Sequence, residues 1–300
     1  MNVSIIIVNY NTKELIKNCL TSIFEKTSGI TFEVIVSDNG SSDGSIEMIK
    51  SEFPQVVLIE NNANLGFGKA NNVGSKIAKG KYLFFLNSDT VLLNNAVKEF
   101  FDKAESEKES FILGSYLYDN EGKICNSYGS FLNPFKAILT KNIYDFYPSI
   151  LEKRVEKLKN EIRIGDAVSE KIVDFVTGAD LFISQEDFSK INGFDGNIFM
   201  YCEDEDLCRM AKKNGIKVKI IKSPKIAHLE GGSLSIKIKR ILIQDKSFFY
   251  YCKKWNSNLK FGFIKLFFRL AYPIRLFSKD LFQNDKLEMK NGDKKILKMF

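Results

Sequence analysis

The chain has 300 residues, 44% apolar and 27% charged, with a formal net charge of +7. These are the numbers of a globular chain able to bury a sizeable core in one or two domains. The charge is uneven: residues 241–300 hold 13 Lys/Arg against 5 Asp/Glu, whereas the remaining 240 residues hold 31 against 32, which argues against a nucleic-acid-binding body and for a basic tail with an anionic partner.

The first 90 residues alternate strand and helix. Residues 3–8 read as a strand that opens the chain directly, so no signal peptide is expected. Asn11, with Glu14 three residues on, has the spacing of a capping box. Leu15, Ile16, Cys19, Leu20, Ile23 and Phe24 then mark one helix face. A strand over 32–36 ends in a polar, glycine-rich loop (37–45). A helix to about residue 53, a strand over 56–59, the segment Asn64-Leu65-Gly66-Phe67-Gly68 and a helix over 69–78 follow. The unbroken apolar run 82–86 reads as a strand buried on both faces. Such alternation predicts right-handed crossovers and a mostly parallel sheet.

The loops after these strands carry the chemistry. Tyr10-Asn11, Asp38-Asn39 and Asn87-Ser88-Asp89 fall at successive carboxyl ends, the rim where doubly wound sheets bind nucleotides. Asp89 is a hard oxygen ligand suited to Mg²⁺ or Mn²⁺ carrying a diphosphate; an ordinary strand-end turn is the competing account. No G-x-G-x-x-G follows the first strand and no G-x-x-x-x-G-K-[ST] occurs. Both the dinucleotide-binding and the P-loop readings are therefore disfavoured.

The middle is less regular. Residues 111–128 suggest a hairpin turning at Asp119-Asn120-Glu121-Gly122, and 134–165 have a weak helical period. Residues 181–183 read as a strand and 185–191 as a short helix. Glu203-Asp204-Glu205-Asp206 opens a further helix, whose positive N-terminus favours acids; helix geometry lets one or two of the four face a site and leaves the others solvated. Gly215 ends that helix, and residues 216–221 form a strand. His228, the single histidine, precedes a Gly-Gly-Ser loop and is either a structural hydrogen-bonder or a loop-borne metal ligand. The five cysteines are odd in number and lack zinc spacing, which fits reduced thiols in a cytosolic protein.

Taken in order, Asn9-Tyr10-Asn11, Ser37-Asp38-Asn39-Gly40-Ser41-Ser42-Asp43-Gly44-Ser45, Asn64-Leu65-Gly66-Phe67-Gly68-Lys69-Ala70-Asn71-Asn72, Leu86-Asn87-Ser88-Asp89 and Gly193-Phe194-Asp195 through Glu203-Asp204-Glu205-Asp206-Leu207-Cys208 resemble the family 2 glycosyltransferases, most closely the rhamnosyltransferase-like branch. The resemblance covers about residues 1–235. It implies an α/β GT-A fold, a mostly parallel central sheet with flanking helices. Residues 1–115 would be the nucleotide-sugar half, 116–235 the acceptor half and 236–300 a helical tail. It also implies an inverting, metal-dependent hexosyl transfer from a dTDP- or UDP-sugar to a glycan or polyprenyl-linked acceptor, rhamnosyl transfer in surface polysaccharide synthesis being the expectation for this branch. Tyr10, Asn11 and Asp38 would hold the base and ribose, and Asn71 or Asn72 would line the donor pocket with Asn39 and Gly66. Asn87-Ser88-Asp89 takes the place of the D-x-D motif, with Asp89 on Mg²⁺ or Mn²⁺. Asp204 would be the general base, and His228 would reach the metal or diphosphate. Two departures stand out: Asn87 replaces the first acid of D-x-D, and Met210 stands where relatives often carry Arg. The competing functions are a sugar-nucleotide-binding or scaffold protein without catalysis, and a nucleotidyltransferase.

The tail carries no motif of that family. Helical projection of 259–281 puts Phe263, Leu266, Phe267, Leu270, Ile274, Phe277 and Leu281 on one stripe, with Lys260, Lys265, Arg269, Arg275 and Lys279 opposite. The stretch is too charged and too short to span a bilayer. A basic amphipathic helix of this kind is expected to lie on the cytoplasmic face of the membrane, with Pro273 kinking or breaking it. Packing on the body or a homodimer contact is the competing use.

Overall fold

The computed structural model describes residues 1–125, 127–135, 137–138, 168–229, 237–276 and 298. The chain divides into two units: Met1–Phe131 with Ala167–Phe199 and Glu203–Ser233, and Leu132–Asp166 with Met200–Cys202 and Leu234–Phe300.

In the first unit β1 (Val3–Asn9), α1 (Lys13–Lys26), β2 (Phe32–Asp38), α2 (Ser45–Glu52), β3 (Val57–Glu60), α3 (Phe67–Ser75) and β4 (Tyr82–Asn87) alternate as the sequence leads one to expect. β1 runs parallel to β2 and β4, and β2 parallel to β3. The apolar runs 5–8 of β1 and 82–86 of β4 are unbroken because both sheet faces are covered there, whereas edge strand β3 is partly exposed. Ile5, Ile7, Phe84 and Leu86 share one core with Ile16, Leu20 and Ile23 of α1, whereas Ile6, Leu83 and Phe85 share another with Phe188, Phe194 and Leu207.

The chain continues through β5 (Thr90–Leu92), α4 (Ala96–Ser106), β6 (Phe111–Tyr118), β7 (Tyr128–Gly129), β8 (Glu170–Ile172), β9 (Phe175–Val176), β10 (Asp180–Ser184), α5 (Gln185–Lys190), α6 (Glu203–Lys213) and β11 (Lys217–His228). The sheet order is β3-β2-β1-β4-β10-β6-β11-β5, with β8 also on β11. β10 enters antiparallel between β4 and β6, and β6 is parallel to β11. The seam is aromatic: Phe100 of α4 stacks on Phe182 of β10 at 5.4 Å and 9°, with Phe84 against both rings.

Two local expectations are corrected. Asn11 does not open a capping box: it sits at φ 53°, and Thr12 takes the N-cap position without a side-chain cap. Asp43 caps α1 from the loop after β2 instead, its Oδ2 accepting from the Lys13 amide at 2.8 Å. Burial opposes ionisation of Asp43, but hydrogen bonds from Ser45 and the Lys13 amide outweigh it and hold the carboxyl below its usual range. The hairpin over 111–128 forms only near its tip, where Tyr118 bridges Ile124. β6 is already flanked by β10 and β11, so Tyr128–Gly129 pairs with Phe175–Val176 in a separate two-stranded sheet.

The second unit contains α7 (Lys237–Trp255) and α8 (Asn258–Leu276). Ile138, Phe249, Tyr251, Cys252, Phe261, Ile264 and Phe268 form its core, with Leu132, Phe135 and Phe267 packed on it. Of the period expected over 134–165, residues 134–135 and 137–138 are helical; the rest lies outside the described residues. α8 runs through Pro273 to Leu276, so the proline does not break it. The expected apolar stripe is also divided: Phe267 packs on Phe135, whereas Phe263, Leu266 and Leu270 are exposed. The core face is the line Phe261, Ile264 and Phe268. Projection finds apolar lines, and α8 has two of them; packing decides which is buried.

Candidate functional site

Strand pairing builds the site from three segments. β5 pairs antiparallel with β11, setting His228 opposite Thr90, and the Leu229 amide donates to the Asp89 carbonyl at 2.9 Å. The result brings His228 Nε2 to 3.2 Å from Asp89 Oδ1 and 3.4 Å from Asn87 Nδ2. Burial alone would lower the His228 pKa, but its hydrogen bond to Asp89, with the Cys125 thiol nearby, lifts it to about 10. Protonated, the His228 ring pairs with Asp89 as a part-buried ion pair; a metal ligand at Nε2 must first lose that proton. His228 Nδ1 is buried without a hydrogen-bond partner.

Asp89 and His228 fit a divalent cation in one respect that can be tested on distance. Two ligands in adjacent positions, each about 2.1 Å from a metal, stand about 3 Å apart, close to the observed separation. Among the described residues no group of three His, Cys, Asp or Glu side chains gathers as a metal cluster. A cation held here would draw its other ligands from phosphate oxygens and water.

Asn87 and Ser88 are anchored from below. The Asn87 amide donates to the Ala179 carbonyl at 3.0 Å, and its own carbonyl accepts from Thr90 Oγ1 at 2.7 Å. Ser88 Oγ lies 3.0 Å from Thr12 Oγ1, which donates to Asn9 Oδ1 at 2.6 Å.

The residues expected around a nucleotide separate into two groups. Asp38 is wholly buried, with Oδ1 accepting from the Gly40 and Ser41 amides and Oδ2 from Asn9 Nδ2 and Ser41 Oγ. Asn39 is equally occupied, bonding Asn61 Nδ2, the Leu65 amide, Asn64 Oδ1 and the Gly66 carbonyl. Asn72 clamps Phe194, donating to its carbonyl at 2.8 Å and accepting from its amide at 3.0 Å. Gly66 has φ 82°, and a Cβ there would meet the Phe199 carbonyl at 2.2 Å. These four shape the rim, and the Asp38 and Asn39 side chains spend their hydrogen bonds within the protein, while Asn72 keeps one Nδ2 hydrogen beyond its bonds to Phe194. Tyr10 is half-buried. Asn11 accepts from the Ser42 amide through Oδ1, which leaves its Nδ2 donors. Asn71 is the reverse of Asn72: it is 1% exposed, with both amide atoms lacking a partner.

α6 supplies the acids. Tyr201 and Cys202, just before it, take φ of 69° and 68°, a consecutive left-handed pair that side chains tolerate poorly. Against expectation, the flanking acids are not solvated: Glu203, Glu205 and Asp206 are buried, and half-buried Asp204 is the most accessible of the four. Asp204 Oδ2 accepts from the Gly178 amide at 3.2 Å and Oδ1 from the Glu205 amide at 2.8 Å. Burial raises its pKa despite those bonds. Burial, then the Asp204 charge, raises Glu203, whose Oε2 has no partner; two such carboxyls resist ionising together. Gly178 and Ala179 form the bridge between the two parts of the site, one amide bonding Asp204 and one carbonyl bonding Asn87.

Asp180 is a residue that pattern reading passed over. It is fully buried at the start of β10, its Oδ2 accepting from the Ser115 amide at 2.6 Å and Oγ at 2.5 Å, its Oδ1 without a partner. The only available signal was a carboxylate abutting the apolar run Leu181-Phe182-Ile183.

Comparison with known proteins gives a consistent picture. The sequence profile of glycosyl transferase family 2 matches residues 4–167. Rhamnosyltransferase WbbL of Escherichia coli (strain K12) is 24% identical over 87% of this chain and 92% of its own. The N-acetylglucosaminyl-diphospho-decaprenol L-rhamnosyltransferase of Mycobacterium tuberculosis (strain ATCC 25618 / H37Rv) is 25% identical over 65% of this chain and 66% of its own. The crystal structure of GalNAc-T7 with UDP, GalNAc and Mn²⁺ shares the fold at TM-score 0.62 and 15% identity, covering 99% of this chain, which spans 56% of that one.

Proposed function

The chain belongs to glycosyl transferase family 2, and from that premise we propose that it moves a sugar from a nucleoside-diphosphate donor to a hydroxyl of a glycan or polyprenyl-linked acceptor, inverting the anomeric carbon. The names of two relatives support rhamnosyl as the sugar, with dTDP or UDP as the carrier. The observation that carries the reading is Asp204. Its carboxylate is the accessible acid of α6, raised in pKa by burial and held by the Gly178 amide beside the segment that anchors Asn87.

The chemistry follows from that placement. Asp204 takes the proton of the acceptor hydroxyl as the oxygen bonds to the anomeric carbon. The bond from that carbon to the diphosphate oxygen breaks on the opposite face, and its electrons leave with the nucleotide. Carboxylates already satisfied by one backbone amide per oxygen keep a lone pair for this proton. Tyr10 and Asn11 orient the nucleotide, and Asp89 and His228 would hold Mg²⁺ or Mn²⁺. When bound, that cation neutralises charge on the departing diphosphate. A polyprenyl-linked acceptor brings the enzyme to the inner face of the cell membrane.

The test is a panel of nucleotide sugars offered to the purified full chain with lipid-linked and soluble acceptors. Transfer from a dTDP- or UDP-sugar is expected. Tight donor binding with no turnover on any acceptor would favour a binding protein that has lost catalysis.

A further inference from the structure

The second unit leaves one apolar line uncovered. Leu259, Phe263, Leu266 and Leu270 of α8 are 74%, 55%, 53% and 69% exposed. Their spacing of four, three and four residues sets them along one side of the helix. The other side carries Phe261, Ile264 and Phe268, buried with Phe249 and Cys252. The core of the unit is therefore satisfied without the exposed line, and among the described residues nothing covers it. Gly262, next to Phe263, has no atom within 4 Å of where its Cβ would be, so this side of the helix is open.

Charge tells what would sit there. Residues Asn258–Leu276 include Lys260, Lys265, Arg269 and Arg275 and no Asp or Glu. At 100° per residue Lys260 falls on one flank of the apolar line and Arg269 on the other, whereas Lys265 lies further round, its Nζ over the Phe261 ring at 5.9 Å. Lys260 and Arg269 are exposed. A second copy of the chain laid on this line would bring cations against cations with no acid on either helix. An anionic surface would meet both flanks favourably. No helix among the described residues is long and apolar enough to cross a membrane, which leaves the geometry of a helix lying in the interface plane.

We propose that this side of α8 is a docking surface for an anionic lipid bilayer. Leu259, Phe263, Leu266 and Leu270 enter the boundary between headgroups and acyl chains, and Lys260 and Arg269 lie at the lipid phosphates. The proposal rests on the membrane placement given above and names the surface that makes it. Lipid is the occupant that satisfies apolar and cationic groups together, and binding of this kind is reversible and weakened by salt.

The experiment is co-sedimentation of the full chain with vesicles of phosphatidylcholine alone and of phosphatidylcholine with phosphatidylglycerol. Wild type should bind the anionic vesicles, more weakly at high salt, and the neutral ones poorly. Phe263→Glu with Leu266→Glu should weaken anionic-vesicle binding on the order of tenfold or more, with the thermal midpoint and transfer to a soluble acceptor unchanged. Lys260→Gln with Arg269→Gln should weaken it by a smaller factor and flatten the salt dependence. If wild type binds and both double variants bind equally well, this surface is wrong while membrane placement stands. If wild type ignores anionic vesicles at low salt, both fall. A wild-type dimer that the Phe263→Glu, Leu266→Glu variant converts to monomer would assign the line to a second copy and overturn the proposal.

Discussion

His228 Nε2 and Asp89 Oδ1 stand 3.2 Å apart although 139 residues separate them in the sequence (228 against 89). The β5–β11 pairing, not proximity in the chain, makes the contact. Removing either side leaves a part-buried partner alone. Asp89→Ala is expected to abolish transfer, on the order of 10²-fold or more, and to remove any metal dependence of donor binding. His228→Ala should weaken metal-dependent donor binding in the same direction. Titration calorimetry of the nucleotide with and without Mn²⁺ checks both. Full activity of either variant in excess chelator would contradict the assignment.

Asn72 and Tyr10 should respond differently to truncation. Asn72 bonds both backbone groups of Phe194, so Asn72→Ala strips partners from a well-packed loop. The expected cost is about 1–3 kcal/mol of stability, with the donor KM little changed in the protein that remains folded. Tyr10→Ala should do the opposite, raising the donor KM with a small change in thermal midpoint. Equal effects on KM would place Asn72 in the donor pocket beside Tyr10.

Asp180 gives the fold a pH dependence. Burial raises its pKa from 3.8 to about 7, against the Ser115 hydrogen bonds. The folded state therefore binds the proton more tightly than the unfolded state. The contribution is complete below about pH 4 and declines as pH rises towards 7. Asp180→Asn mimics the protonated acid. Its thermal midpoint relative to wild type should rise between about pH 5 and pH 8. A difference independent of pH would show that Asp180 does not titrate over this range.

Gly66→Ala tests the rim itself. The residue has φ 82°, and the added Cβ would overlap the Phe199 carbonyl at 2.2 Å. A loss of several kcal/mol is expected, from steric overlap as well as left-handed strain. A thermal midpoint within a degree or two of wild type would mean that the two segments separate easily.

Much of this was legible in the sequence, and the limits are physical. The central parallel strands β1 and β4 show as unbroken apolar runs, 5–8 and 82–86, because burial on both faces favours apolar residues at successive positions. The antiparallel entry of β10 between β4 and β6 is a long-range pairing, and no local period encodes it. α4 carries its own signal, Val97, Phe100 and Ala104 buried at helical spacing. At the rim, residue type singled out Asp38 and Asn39, but only coordinates show that their hydrogen-bonding capacity is consumed internally. The acids of α6 were expected to be solvated, yet Glu203, Glu205 and Asp206 are buried; a count of like charges cannot tell a solvated face from a packed one. In α8 the stripe is seen at Phe263, Leu266 and Leu270, the side chains of Ile274, Phe277 and Leu281 lie outside the described residues, and projection alone does not choose between the helix's two apolar lines.

The most direct measurement is single-turnover transfer by Asp204→Asn beside Glu203→Gln, with donor binding measured on the same preparations. Asp204→Asn keeps the carboxamide within reach of the Gly178 amide and removes the proton acceptor. Its rate should fall on the order of 10²-fold or more while donor affinity stays near wild type, and Glu203→Gln should cost less. A larger loss in Glu203→Gln, or an Asp204→Asn enzyme that turns over at the wild-type rate, would contradict Asp204 as the base.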